Sequence, residues 1–452
     1  MSTVLDRFCT TAPFAVMTRI LVQDFIGTHI NSLFEDNRQS QYEYLASFQS
    51  VAMTVADVAL RFCENFNQSY KKHADELQVS VQSFYAKTRG VEPAVSEAMV
   101  AQSALRAVEI QDALGMQPWV VIPGYRCLTV DGNVLAKSEK RLGVLRNVKG
   151  APLPGKVVAR FDVQRQLFDK AYVLLDGHAQ ESTCCERIVS DLKAKDVLIA
   201  DRHYCIVLFM EAIAQAKACF VIRQHGRLPG VLLGKRKLVG KVETGTVYEQ
   251  AMRLTANENA MVVRRITVVL HEPTRDGAIE IHILANLPNK ISALLLADAY
   301  RHRWEEETAF NVLQMTLTCE LSSVGHPKAA TFLFCTSALA YNLRQTIFAA
   351  LYAVHPEEEV LEVSHLHLSK NVSDYTPGML VSITPEQWND FIPKTIKAIA
   401  ELLKQIATKI PLSDFKKARR GPKKKKPFRS RNVASSHVST AKLLGIAYDG
   451  HP

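Results

Sequence analysis

The stretch Tyr300–Gln314, YRHRWEEETAFNVLQ, decides how this chain is read. It holds no Pro or Gly, and large apolar residues recur at Tyr300, Trp304, Val312 and Leu313, which predicts one helix. Tyr300, Arg303, Glu307 and Gln314 follow one another at offsets of three, four and seven. Those offsets keep side chains on one face of an α-helix. A hydroxyl, a guanidinium, a carboxylate and an amide thus share a polar face, backed by Phe310 and Leu313. On this stretch alone, an ordinary amphipathic helix with a charged face is the favoured reading. The lone Trp304 is expected in the core.

Two upstream stretches offer carboxylates at strand ends. Tyr125–Val130 is β-branched and apolar, and Asp131-Gly132-Asn133 is expected to break it, either as a hairpin turn or as a strand end presenting Asp131. Asp196–Ala200 is a buried-strand run ending in Asp201-Arg202-His203-Tyr204, followed by a helix (206–217) and a strand (219–224). That β-α-β order predicts parallel strands, and ligand chemistry in such sheets lies beyond their carboxyl ends, where Asp201 falls. Asp201 also suits a helix N-cap, and the two roles are compatible. Asp176 also follows an apolar run but reads as a cap or turn residue, and Asp162 is a weaker candidate still.

Tyr300, Arg303 and Glu307, with Trp304 and Phe310, resemble the YREK signature of DDE transposases from bacterial insertion sequences; Gln314 stands where that group has Lys. The Asp131 segment resembles the family too, through Leu135–Leu142 and Gly150–Gly155, as do Asp201-Arg202 and Tyr341–Arg344. The resemblance spans residues 10 to 350. It implies a ribonuclease H-like core with Asp131, Asp201 and Glu307 as catalytic metal ligands, for Mg²⁺ with Mn²⁺ as substitute. It implies cleavage at the ends of a DNA element and strand transfer into target DNA, by a homodimer on double-stranded DNA. Tyr300, Arg303 and Gln314 would contact DNA. A nuclease of the same fold and a catalytically silent, transposase-derived DNA-binding protein are the alternatives.

The carboxylates lie far apart in sequence, 70 residues from Asp131 to Asp201 and 106 from Asp201 to Glu307. A β-rich insertion (226–288) lengthens the second gap, with Gly-punctuated short runs followed by strands at 261–270 and 278–284. Lys235, Arg236 and Lys237 are placed on a Gly-flanked tip that either touches phosphates or is simply solvated.

The whole is an α/β ribonuclease H-like catalytic core (116–350) with the insertion, preceded by an all-helical domain (1–115). A C-terminal helical region (351–410) and a basic, flexible tail (411–452) follow. Within 1–115, Ser80–Lys87 is the size of a helix-turn-helix element, and the region either binds element ends or is a plain bundle. A polar loop is expected at 365–374 and a helix at 385–410.

At 47% hydrophobic and 22% charged, the 452 residues read as a soluble globular protein of two to four domains. No apolar run is long enough for a bilayer, and no signal peptide is evident. Nine cysteines without CxxC spacing argue for reduced thiols and against a zinc site. The adjacent Cys184-Cys185 reads as apolar filler. The thiols suit a cytosolic setting, and the resemblance implies the bacterial cytoplasm, on the nucleoid when DNA-bound. The net charge of +10 equals the ten Lys and Arg between Lys416 and Arg431, so the rest of the chain is neutral. Such a block attracts polyanions.

Overall fold

The computed structural model describes residues 3–27, 29–41, 45–256, 259–274, 277–418, 421 and 437–446. Its centre is a nine-stranded mixed sheet. In chain order the strands are β1 (Arg126–Leu135), β2 (Ala151–Leu153), β3 (Gly155–Asp162), β4 (Leu167–Leu174), β5 (Asp196–Ala200) and β6 (Cys219–Arg223). Then come β7 (Val231–Val242), β8 (Gly245–Ala256), β9 (Asn259–Leu270), β10 (Glu280–Ala285) and β11 (His437–Ser439). The sheet order is β4-β3-β1-β5-β6-β10-β9-β8-β7, while β11 pairs with β2.

The β4-β3-β1 part is antiparallel, and β1, β5 and β6 run parallel. This half, with its helices, fits a ribonuclease H-like core. The parallel strands are buried on both faces, as their near-continuous Val, Ile, Leu and Phe composition requires. Alternation splits their side chains between two cores. Leu128, Val130, Leu198, Ala200, Phe220 and Ile222 face the helices Cys185–Ser190 and Val207–Gln215. Cys127, Val197, Ile199 and Val221 face the opposite side.

That second side carries the larger core. It joins the sheet to helices Pro93–Ala113 and Pro327–Tyr352, to N-terminal helices Pro13–Phe25 and Phe48–Ala59, and to the C-terminal helix Ile396–Ala407. The boundary expected near residue 115 therefore falls inside one continuous apolar core. Helix Val81–Gly90, capped by Ser80, buries Phe84 in that core. Helix Pro327–Tyr352 is buried nearly all round, and within it Asn342 does a strand's work. Its amide accepts from Phe168 N and donates to Phe168 O, both at 2.9 Å, which satisfies the outer edge of β4. No helix among the described residues is long and apolar enough to cross a membrane.

Several expectations are corrected. The strand at Asp131 does not break: β1 loses its β5 partner after the Val130–Ala200 pair but stays paired with β3 through Leu135. Gly132 is therefore no turn residue. A Cβ there would meet the far end of the Glu181 side chain, so a larger residue would have to push that carboxylate aside. Residues 231–256 form two 12-residue strands rather than short punctuated runs. With β9 and β10 they extend the main sheet. Residues 365–382 form a helix, and 385–410 divides into helices Pro385–Phe391 and Ile396–Ala407.

The chain after 411 is no simple tail. Residues 437–446 return to the body, where β11 pairs in parallel with β2 and Lys442 Nζ lies 3.1 Å from the buried Asp176. Most of the basic block lies outside the described residues. All nine cysteines are free thiols.

Candidate active site at the strand ends and the 303–316 helix

The register of the parallel strands sets the site. Val130 pairs with Ala200, so Asp131 and Asp201 follow side by side on neighbouring strands, which are about 4.8 Å apart. By alternation both carboxylates point to the larger-core side, where the helix Arg303–Thr316 lies against β1. Asp201 also caps a short 3-10 turn (Arg202–Tyr204), accepting from His203 N at 2.6 Å. The strand-end and N-cap readings of Asp201 both hold geometrically.

The decisive stretch is two helices, not one. Ala293–Arg301 ends and Arg303–Thr316 begins at His302, whose ring sits 2.5 Å from the Glu305 carboxylate. Tyr300 thus closes one helix and Arg303 opens the next. The second is anchored by Ala309, Phe310 and Leu313, with Phe310 packed 5.4 Å from the Phe168 ring. This leaves Arg303 and Glu307 on the face toward β1. Arg303 Nη1 lies 2.6 Å from Glu307 Oε1 and 3.7 Å from Asp131 Oδ2. Gln314 Nε2 donates to Asn133 Oδ1 on β1 at 3.2 Å.

Burial dominates the electrostatics at this junction, and the neighbouring carboxylates add to it. Burial pushes Asp131 up to about 6; Glu181 and Asp201 add to the rise, while the Gly132 N–H and Arg303 oppose it. Burial alone would lower the Arg303 guanidinium, but Tyr300, Glu307 and Asp131 around it raise it instead. Tyr300 is 7% exposed and burial holds its hydroxyl neutral, above the usual phenol range.

Two carboxylates escaped the sequence reading. Glu306 is fully buried beside the Thr129 hydroxyl and the Asp131 backbone, yet neither oxygen has a hydrogen bond of ordinary geometry. Burial raises it well above the usual carboxylate range, and Asp131 adds to this. Its signal was present: Glu306, Phe310 and Leu313 stand at offsets of four and seven, so Glu306 belongs to the apolar face. Glu181 accepts from the buried Tyr204 hydroxyl at 3.2 Å and lies 3.8 Å from Lys156 Nζ. Nothing local in the sequence marks it.

Other expectations separate from the site. Trp304 is 62% exposed, not core, because the helix turns its other face inward. Lys235, Arg236 and Lys237 are not on a tip but inside edge strand β7, five strand positions from β5, which is roughly 24 Å at ordinary spacing. Arg236 is bound there to Glu280 at 3.1 Å and stacks 4.1 Å from the Tyr248 ring centroid.

Among the described residues no three His, Cys, Asp or Glu side chains stand close enough to share one ion. The donor chemistry nonetheless fits a hard divalent cation: the set is oxygen-only, and its crowded negative charge is part of what holds Asp131 high. In this arrangement the Arg303 guanidinium is the cation between Asp131 and Glu307.

Residues 156–343 match the family model described as the transposase DDE domain. The match contains Asp201 and Glu307 and begins after Asp131; it supports a DDE transposase. No curated protein matches the chain. Among solved structures the chain is similar to a piggyBac transposase in a synaptic complex with hairpin DNA, at 10% identity and a TM-score of 0.43. That likeness covers 86% of this chain and 85% of the other, and the site assignment does not rest on it.

Proposed function

We propose that the protein is a DNA transposase that cuts the ends of a DNA element and joins them to target DNA, with Asp131, Asp201 and Glu307 as its catalytic carboxylates. The observation that carries this is the in-register placement of Asp131 and Asp201, with Glu307 brought to Asp131 through Arg303. A phosphodiester resists cleavage because its negative charge repels nucleophiles and its alkoxide leaves poorly. Divalent ions held by Asp131, Asp201 and Glu307, Mg²⁺ or Mn²⁺, would activate the attacking hydroxyl and neutralise the leaving oxygen.

The chain's own residues do the rest. Asp131 must be deprotonated to hold a cation, and Arg303 favours that state. The neutral Tyr300 hydroxyl is a donor for a phosphate oxygen beside the carboxylates. Gln314, fixed by Asn133, offers the backbone an amide hydrogen bond where a Lys would offer charge. Trp304, exposed on the same helix with the Arg303 guanidinium 5.7 Å from its ring centroid, would offer its ring to a base. Lys235 and Lys237 on β7 would meet DNA only well away from the chemistry, and Arg236 would have to leave Glu280 to join them. The helices of residues 3–113 would take the element ends, and two copies would hold the two ends as a homodimer. Membership of the bacterial insertion-sequence group, with the protein acting in the cytoplasm on the nucleoid, belongs to the same reading.

The test is incubation of the purified protein, with Mg²⁺, with a duplex carrying the DNA found at the borders of its gene and a second duplex as target. Nicked borders and joined products are expected. Nicks without joining would make it a nuclease of this fold. Tight border binding without nicks in Mg²⁺ or Mn²⁺ would make it a silent DNA-binding protein.

A further inference from the structure

We infer that Arg223 is a phosphate anchor of this site, taking the non-bridging oxygens of a DNA phosphate next to the one cut. The inference rests on the transposase reading above and adds a residue that the Tyr300–Gln314 stretch does not contain.

Register places it. Val130 pairs with Ala200 and Ala200 pairs with Ile222, so the residues that follow on β1, β5 and β6 are Asp131, Asp201 and Arg223. They form one row across the three parallel strands where their mutual pairing stops, about 4.8 Å from strand to strand. Alternation gives all three the same side. Ile222 belongs to the core beneath helix Val207–Gln215, and Val221 belongs to the opposite one, so Arg223 points with Asp131 and Asp201 toward the side of Tyr300. The row ends at Arg223 because its partner on the next strand is Ile283, which is buried.

The bonding of Arg223 separates it from Arg303. Arg303 is already engaged with Glu307 and Asp131, and is spent on holding the carboxylates. Arg223 is half-buried, and among the described residues its guanidinium makes no hydrogen bond or ion pair. A half-buried guanidinium with no acceptor, next to a row of carboxylates, suits an acceptor that arrives with the substrate; its planar fork matches two phosphate oxygens. Its charge already reaches Tyr300, where with Arg303 it counters the rise caused by burial. One phosphate could therefore meet both the Tyr300 hydroxyl and the Arg223 fork, fixing the strand relative to Asp201.

The experiment compares full-length wild type, Arg223→Gln and Arg223→Lys. Binding to the border duplex and to an unrelated duplex is followed by fluorescence anisotropy across a series of KCl concentrations. Cleavage of the border duplex in Mg²⁺ is measured separately, and thermal melting checks that each variant is folded. Losing one phosphate contact should reduce the slope of log K against log salt by about 1 in Arg223→Gln on both duplexes, and Arg223→Lys should restore it. Cleavage should fall on the order of 10-fold to 100-fold in Arg223→Gln. It should recover only in part in Arg223→Lys, because an ammonium is not a fork. An unchanged slope in folded Arg223→Gln overturns the anchor even if wild type cleaves. A reduced slope with a wild type that binds but never cleaves upholds the anchor and removes the transposase reading. A wild type that binds neither duplex overturns both.

Discussion

Arg303 Nη1 lies 2.6 Å from Glu307 Oε1, one helical turn along, and the same nitrogen lies 3.7 Å from Asp131 Oδ2. One guanidinium thus bridges a helix carboxylate and a strand carboxylate that are 176 positions apart in the chain. It also lowers the proton affinity of Asp131, which burial has raised to about 6. Replacing Arg303 with Gln removes that help, so Asp131 moves above 6. Binding of Mn²⁺, measured by calorimetry against pH, should weaken in wild type as pH falls through about 6, because proton and ion compete for the carboxylate. In Arg303→Gln the same weakening should begin at higher pH.

Glu306 is a buried carboxyl without a well-formed hydrogen bond, directly behind Asp131. Its folded-state proton affinity is raised, so its contribution to stability is fully present below its unfolded value, near pH 4.5, and is lost as pH climbs toward the folded value. Glu306→Met keeps the volume and removes the group. At pH 7 it should be more resistant to urea than wild type by about 1–3 kcal/mol, with the gap closing toward pH 4. Equal urea midpoints at pH 7 would mean that the carboxyl is satisfied after all.

Gln314 reaches β1 through Asn133. Lysine here would add a charge at the end of the polar face, so Gln314→Lys should bind duplex DNA more tightly at low salt. Its slope of log K against log salt should be steeper by about 1. An unchanged slope would place position 314 off the DNA path.

His73 stands between two carboxylates far from the strand-end site, 3.0 Å from Asp57 and 3.1 Å from Glu76. Burial opposes its charge, but the hydrogen bonds to Asp57 and Glu76 prevail and push it up to about 9. Because the folded value is raised, the stabilisation is complete below about pH 6.5 and disappears as pH rises through 9. It amounts to at most about 3–4 kcal/mol at 1.36 kcal/mol per unit. The stability difference between wild type and His73→Gln, from urea melts, should shrink accordingly from pH 6 to pH 10.

The parts of this molecule legible in the sequence are those set by local pattern. Asp201 follows the four-residue apolar run Val197–Ala200, and Arg303 and Glu307 sit four apart on a helix, so their placement could be read directly. What stayed hidden depends on contacts made at long range. Gly132 looked like a turn because Asp-Gly usually is one, yet it lies inside β1, paired with Val158 and facing the Glu181 side chain from another element. The long strand β7 was obscured by Gly234 and Gly240, whose positive φ values coincide with register shifts rather than strand ends. Arg223 could not be singled out without the register of β5 on β6. Glu306 was readable from helical periodicity but was masked by its neighbours in the run Glu305–Glu307. The return of residues 437–446 onto β2 rests on a three-residue pairing too short to leave a pattern.

The most direct measurement is Mg²⁺-dependent nicking of the border duplex by wild type beside Asp201→Asn, which keeps the size of the side chain and its place as a cap but removes its charge. The account predicts nicks at the borders with wild type and their loss, by a factor on the order of 100 or more, in a folded Asp201→Asn that still binds the duplex. Nicking by Asp201→Asn at the wild-type rate would contradict it.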